Sequence, residues 1–242
     1  MNATPDTTIG AIVSGDYRAA AVFQRYGIDF CCGGGRTIED ACRAKSLDPG
    51  AVLADVAREC ATTDAAAPQF ATWEPTALMD HIVSTHHAYV RQALTTISAH
   101  TRKLADVHGA NHPELVEVDR LFAAVAVEMT SHMMKEEHIL FPFIVQLQEA
   151  AGQGGPAPFI PFGTVANPIH MMEEEHESAG NAMARIRELT GGYQVPADGC
   201  TTYRVGLREL DQFEQDLHAH VHLENNILFP KAMKLETELR HP

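Results

Sequence analysis

Six polar residues stand at spacings that could hold metal ions. His132-Met-Met-Lys-Glu136-Glu-His-Ile-Leu-Phe-Pro142 and His220-Val-His-Leu-Glu224-Asn-Asn-Ile-Leu-Phe-Pro230 share the pattern H-x3-E-x2-I-L-F-P. An acidic residue, Glu128 or Asp216, stands four positions before each histidine. His87 precedes His132 by nearly the same number of residues as His176 precedes His220, so the polar pattern belongs to an internal repeat. Residues four apart on an α-helix differ by roughly 40° in azimuth and share a face. His132 therefore points with Glu136, and His220 with Glu224. Two buried carboxylates without compensation are costly, and a pair of cations supplies the missing charge. Imidazole with carboxylate suits iron, manganese or zinc, the carboxylates bridging two ions and the histidines binding terminally. The absence of cysteine from these faces disfavours a thiolate site.

The elements that must position these residues read as four long helices. The first opens near Pro75 and ends by Gly109; the second runs from about Pro113 to Glu149. A Gly- and Pro-rich loop leads to a third, opened by Asn167 as N-cap and Pro168, which stops at Gly191-Gly192. The fourth begins after Gly199 and runs almost to the end. Apolar residues continue the polar faces: Val83, Val90 and Leu94 around His87, and Leu121, Val125, Ile139 and Phe143 along the second helix. Ile169, Met172 and Met183 frame His176, and Phe213, Leu217 and Ile227 accompany His220. No β-branched alternation appears. The pattern predicts an all-α chain whose main part is an antiparallel four-helix bundle. Each I-L-F-P proline is expected to kink or end its helix. The ferritin-like alternative needs Glu-x-x-His on two helices, and Glu173-x-x-His176 alone fits.

Residues 1–62 read as a small domain of two or three helices, 63–71 as a linker rich in Ala, Thr and Pro, and 72–242 as the bundle. In the first domain, Asp29-Phe-Cys31-Cys32-Gly-Gly-Gly35 places a vicinal dithiol before Thr37, a helix cap. Thiols near a helix N-terminus tend toward lowered pKa and higher reactivity, so Cys31 and Cys32 are candidates for a thiol role. Cys42, Cys60 and Cys200 read as buried small hydrophobes. A formal charge of −14 argues against nucleic acid or an acidic membrane surface as partner. With 45% hydrophobic residues the chain can bury a core. No apolar run approaches membrane-spanning length; the opening residues show no basic region followed by an apolar one, so a secretory signal is not expected; and the cysteine usage fits a reducing cytoplasm.

At these residues the chain resembles a known family. Ser131-His-Met-Met-Lys-Glu-Glu137, Leu223-Glu-Asn-Asn-Ile-Leu-Phe-Pro230, Glu174-Glu-His-Glu-Ser-Ala-Gly180 and Tyr26-Gly-Ile-Asp-Phe-Cys-Cys-Gly-Gly34 look like the repair-of-iron-centres proteins of YtfE/ScdA type, a hemerythrin-like domain behind an ScdA-type segment. The resemblance covers nearly the whole chain. It implies a centre of two non-haem iron ions, oxo- and carboxylate-bridged. His87, His132, His176 and His220 would be terminal ligands; Glu136 and Glu224 would bridge. His81, His86 and His87 compete on the first helix, and both the family pattern and the repeat offset favour His87. Glu137 is rotated by about 100° from Glu136 and is set aside. Glu128, Asp216 and Glu175 are expected to orient ligands or line an acidic route. Oxygen-carrying hemerythrins typically have H-x3-H on the third helix; Met172 stands at that position here, which weakens an oxygen-carrier reading.

The resemblance implies repair of iron–sulfur clusters damaged by nitric oxide or oxidants, more by iron donation than by classical enzyme catalysis. The partners would be damaged iron–sulfur proteins, with nitric oxide or O2 as small ligands. A homodimer is one arrangement open to so short an N-terminal segment. Two alternatives need the same ligands: a sensor or buffer that binds NO or O2, and a di-iron NO reductase, which would need an external electron donor.

Overall fold

The computed structural model describes residues 3–61, 69–159 and 161–240. Residues 63–68 of the expected linker lie outside them. Among the described residues every regular element is helical, and the β-type pairing is a single isolated bridge, Thr8 with Thr37. The chain is all-α, as its periodicity predicts. Contacts gather it into two compact units: Met1–Met79 with Leu147–Phe159 and Ala219–Pro242, and Asp80–Gln146 with Ile160–His218.

The second unit holds the body of the bundle. Helices α6 (Ala88–His108), α7 (Glu114–Lys135) and α9 (Ala166–Leu189) are joined there by most of α10 (Thr201–Leu223). Each buries one stripe at helical spacing. These are Val90, Leu94, Ile97 and Leu104 on α6; Leu115, Val118, Phe122, Val125 and Met129 on α7; Ile169, Met172, Met183 and Ile186 on α9; and Leu210, Phe213 and Leu217 on α10. Phe122 and Phe213 meet edge to face at 5.3 Å. Each such side chain, fully withdrawn from water, contributes about 1.5–3 kcal/mol. Gly206 lets α10 approach α6 closely, since a Cβ there would stand 3.0 Å from Leu104 Cδ1.

The first unit contains four short helices where two or three were expected. They are α1 (Ile9–Gly15), α2 (Ala19–Arg25), α3 (Ile38–Lys45) and α4 (Pro49–Cys60). Thr8, Thr37 and Asp48 cap α1, α3 and α4 through their side-chain oxygens. Ile9, Ile12, Val22, Phe23, Ile38 and Val52 form the core. The unit also holds most of α5 (Pro75–His81), most of α8 (Phe141–Gln153) and α11 (Phe229–Arg240). Gln148 Oε1 accepts from the Thr76 amide at 3.0 Å.

Three of the four long helices are interrupted by a wider, π-type turn: π1 (Ile82–His87), π2 (Glu136–Leu140) and π3 (Glu224–Leu228). The amide of Phe141 bonds to the carbonyl of Glu136, and that of Phe229 to the carbonyl of Glu224, each five residues back. Of the two outcomes expected for the prolines, a kink or an end, the second does not occur. Neither Pro142 nor Pro230 ends its helix, since α8 continues to Gln153 and α11 to Arg240. A proline ring clashes with the carbonyl four residues back; the wide turn just before it displaces that carbonyl. The extra residue also shifts the phase of the following face. Leu140 turns inward and Ile139, expected inside, is 53% exposed. A second correction concerns α9, which starts at Ala166 with Val165 at its cap and no side-chain capping bond. Asn167 instead donates Nδ2–H to the carbonyl of Phe162 at 2.8 Å, and Pro168 sits within the first turn, where its missing N–H costs nothing.

Candidate metal centre

Five of the six residues singled out by the repeat lie at the π-turns or one turn before them, and His176 lies within the unbroken α9. His87 is the last residue of π1, Glu136 opens π2 and Glu224 opens π3. His87, His132, Glu136, His176, His220 and Glu224 are all fully buried at 0% exposure. Glu136 Oε2 stands 3.3 Å from His87 Nε2 and 3.2 Å from His132 Nε2. His132 Nε2 and His176 Nε2 face each other at 3.0 Å. Along the fourth helix, His220 Nε2 is 3.0 Å from Glu224 Oε1. The donor atoms make two overlapping sets, His87/Glu136/His220/Glu224 and His132/Glu136/His176/Glu224, each with all its atoms within 4.8 Å of one another. The two glutamates belong to both.

The far nitrogens of two of these histidines are held by carboxylates. His87 Nδ1 is 2.6 Å from Glu137 Oε1, and His132 Nδ1 is 2.9 Å from Glu175 Oε2. Arg91 pairs with Glu137, and Lys135 with Glu175. The His132 contact, aided by Lys135, holds the Glu175 carboxyl down at about 2 against the opposing effect of burial. An ionised carboxylate can only accept, so each imidazole carries its proton on Nδ1 and aims the Nε2 lone pair inward. Glu136, as a carboxylate, would also offer only lone pairs there. Acceptors facing acceptors at 3.2–3.3 Å among fully buried side chains call for a cation between them. The donor set fits a metal site by its own chemistry.

Glu137, set aside on its rotation from Glu136, is thus a direct partner of His87. That same rotation turns it toward the neighbouring helix. Glu175 reaches His132 rather than its neighbour His176. Asp216 Oδ1 binds His86 Nδ1 at 2.9 Å, and His86 is buried. Glu128 is exposed and accepts from Ser178 at 3.1 Å, reaching no histidine. His81 is half-buried, its imidazole kept neutral by burial and by His86. His222 is also buried, and its pKa falls to about 4 for that reason.

Comparison with known proteins gives the same assignment over most of the chain. The "Hemerythrin HHE cation binding domain" model matches residues 78–232, and the ScdA_N model, described as a domain of unknown function (DUF542), matches residues 5–59. The iron–sulfur cluster repair protein YtfE of Enterobacter sp. (strain 638) is 35% identical over 231 residues, 94% of this chain and 97% of that protein. The chain belongs to the YtfE/ScdA family. Similar to it are also the iron–sulfur cluster repair protein ScdA of Staphylococcus haemolyticus (strain JCSC1435), 31% identical over 94% of this chain and 98% of its own, and YtfE of Escherichia coli O157:H7, 33% identical over 94% and 97%.

In this member of the YtfE/ScdA family the dithiol loop is organised by Asp29. Its carboxylate accepts from the amides of Cys31, Cys32 and Gly33 at 2.9–3.1 Å, and from Cys31 Sγ at 3.2 Å. The two sulfurs are 4.0 Å apart, and Asp29, Cys31 and Cys32 offer donor atoms within 4.8 Å of one another. The Cys31 thiol is buried and pushed well up by its bond to Cys32, by burial and by the Asp29 charge. That corrects the expectation of a lowered pKa: the neighbouring thiol and carboxylate oppose ionisation, and α3 begins only at Ile38.

Proposed function

We propose that this chain repairs iron–sulfur clusters damaged by nitric oxide or oxidants, holding two iron ions and donating iron to the damaged site. The observation that carries this reading is the fully buried set of four histidines and two glutamates, in a chain whose relatives are named iron–sulfur cluster repair proteins. Such donors accept iron, manganese or zinc; iron is the metal that cluster repair calls for. His87, His132, His176 and His220 would bind terminally and Glu136 and Glu224 would bridge. Bound iron supplies Lewis-acid and one-electron chemistry. The chain's own part is to fix the imidazole tautomers through Glu137 and Glu175 and to exclude water. The Asp29, Cys31 and Cys32 donors suit a role in handing iron to a client. The cytoplasm is the compartment proposed, where free thiols persist. Among the described residues no helix is long and apolar enough to cross a membrane.

The test starts from protein purified without oxygen. Iron near two per chain, falling sharply in His132→Ala and Glu136→Ala, is the expected result. The loaded protein is then mixed with an enzyme whose cluster has been nitrosylated. Reactivation with loss of iron from this chain supports donation. Firm retention with reversible spectral change on adding NO or O2 would replace repair with a sensor or buffer. NO turnover only when a reductase is added would replace it with catalysis.

A further inference from the structure

Apart from the metal ligands, the second unit carries a nucleophile beside a base. Cys200 directly precedes α10, and its carbonyl accepts from the Arg204 amide at 3.1 Å. The thiol therefore stands at the amino end of a 23-residue helix. Its Sγ lies 3.2 Å from Nε2 of His108, the last residue of α6. The His108 ring packs against Tyr203 at 5.3 Å and His112 at 6.5 Å. His112 is held on both sides, by Glu114 on Nδ1 and Asp198 on Nε2, each at 3.1 Å. Cys200, expected from its isolation in the sequence to be a buried small hydrophobe, is exposed. Cys31 and Cys42 are buried, and Cys32 and Cys60 half-buried.

We propose that Cys200 and His108 form a reactive thiol–imidazole pair whose substrates are low-molecular-weight disulfides, giving the chain a reversible thiol-modification site outside the metal centre.

The nucleophile in such exchange is the thiolate, which a helix N-terminus and a neighbouring imidazole both favour. The backbone N–H of Tyr203 contributes most, then His108, and together they bring the Cys200 thiol down to about 7. The other polar groups of the cluster are Tyr203, His112, Asp198 and Glu114. The two carboxylates are engaged with His112, which they hold toward its protonated form, so their charge is offset. Cys42 and Cys60 are shifted upward by burial. In the reaction Cys200 Sγ–H passes its proton to His108 Nε2. The thiolate attacks one sulfur of the disulfide, a new S–S bond forms and the old one breaks. The departing thiolate takes the proton back from His108. One thiol and one disulfide become one mixed disulfide and one thiol, with no further oxidant or reductant.

The experiment uses the full-length, iron-loaded protein and glutathione disulfide, with modified cysteines located by peptide mass spectrometry over a series of pH values. Cys200 should be modified first, with a midpoint near pH 7. Cys200→Ser should remove the fast phase and leave bound iron unchanged. His108→Gln should move the midpoint upward and slow the reaction at neutral pH about tenfold. The ultraviolet thiolate titration of wild type minus Cys200→Ser reads the same midpoint without the histidine variant. A fast phase surviving in Cys200→Ser, a wild-type rate and midpoint in a folded His108→Gln, or a difference titration far above neutrality would each overturn the proposal.

Discussion

The side-chain amide of Asn226 donates to the backbone carbonyl of Cys31 at 3.0 Å. Asn226 lies in π3, two residues beyond Glu224, so the loop presenting the dithiol is fastened to the turn that carries a metal-ligand candidate. Two glycines make room for it. A Cβ at Gly10 or Gly34 would stand 2.2 Å from Asn226 Oδ1. One turn earlier His222 packs on Tyr17 at 5.8 Å and Phe30 at 6.1 Å. The Cys-Cys-Gly-Gly run is therefore a fitted clasp for a side chain far along the sequence.

Gly34→Ala should cost about 2 kcal/mol of stability, because the Asn226 amide must leave its place. Asn226→Ala should cost about 1 kcal/mol through the lost bonds to the Phe30–Cys31 carbonyls. In the double variant the alanine at 34 meets no amide, so the double variant should cost less than the sum of the two singles. Denaturant titration of the four proteins measures the coupling. Strictly additive costs would show that Gly34 is not there to admit Asn226.

Glu175→Gln should weaken metal retention about 10- to 100-fold. The amide no longer imposes an Nδ1 proton on His132, and the Lys135 pair is lost as well. Glu128→Gln serves as the comparison, since Glu128 is exposed and touches Ser178. Competition against a chelator reads both. Equal affinities would mean that the His132–Glu175 contact does not tune the ligand.

Removing the metal should destabilise the fold. Without a cation, Glu136 and Glu224 face imidazoles at 0% exposure, and the interior must take up protons instead. A metal present at about a thousand times its Kd adds about 4 kcal/mol. Calorimetry before and after chelation should show a clear fall in Tm, reversed by adding iron back. An unchanged Tm would separate the metal from the stability of the bundle.

What could be read in advance was whatever repeats with the period of a helix. The four long helices and the inward placement of the six His and Glu residues were legible because His132 with Glu136, and His220 with Glu224, lie on apolar stripes. The π-turns were not, since their hydrogen bonds to the Glu136 and Glu224 carbonyls leave only a proline as a local trace, and a proline predicts a break. Ile139 was misplaced for the same reason. Glu137 and the His108–Cys200 pair were missed, and Glu175 was named without its partner His132, because those partners lie on other helices. Period fixes which face a residue occupies, while the contact across to the next helix depends on how the helices pack.

The last prediction concerns Glu214, a buried carboxylate with no assigned role. It is 1% exposed; Oε2 accepts from Tyr193 Oη at 3.1 Å and lies 3.7 Å from Arg187, while Oε1 has no hydrogen-bond partner among the described residues. Burial raises its pKa above the ordinary 4.5, against the opposing pull of Arg187 and Tyr193. For a carboxyl raised in the folded state, the folded chain holds the proton more tightly. The associated stability is complete below pH 4.5 and is lost as pH rises through the folded value. Glu214→Gln removes the charge and keeps an acceptor for Tyr193. The variant should be more stable than wild type at neutral pH, by about 1 kcal/mol. The difference should shrink as the solution is acidified below the ordinary carboxyl range. Denaturation at several pH values tests both the sign and the window. A variant weaker than wild type at neutral pH would show that the attraction of Arg187 outweighs the cost of burying the charge.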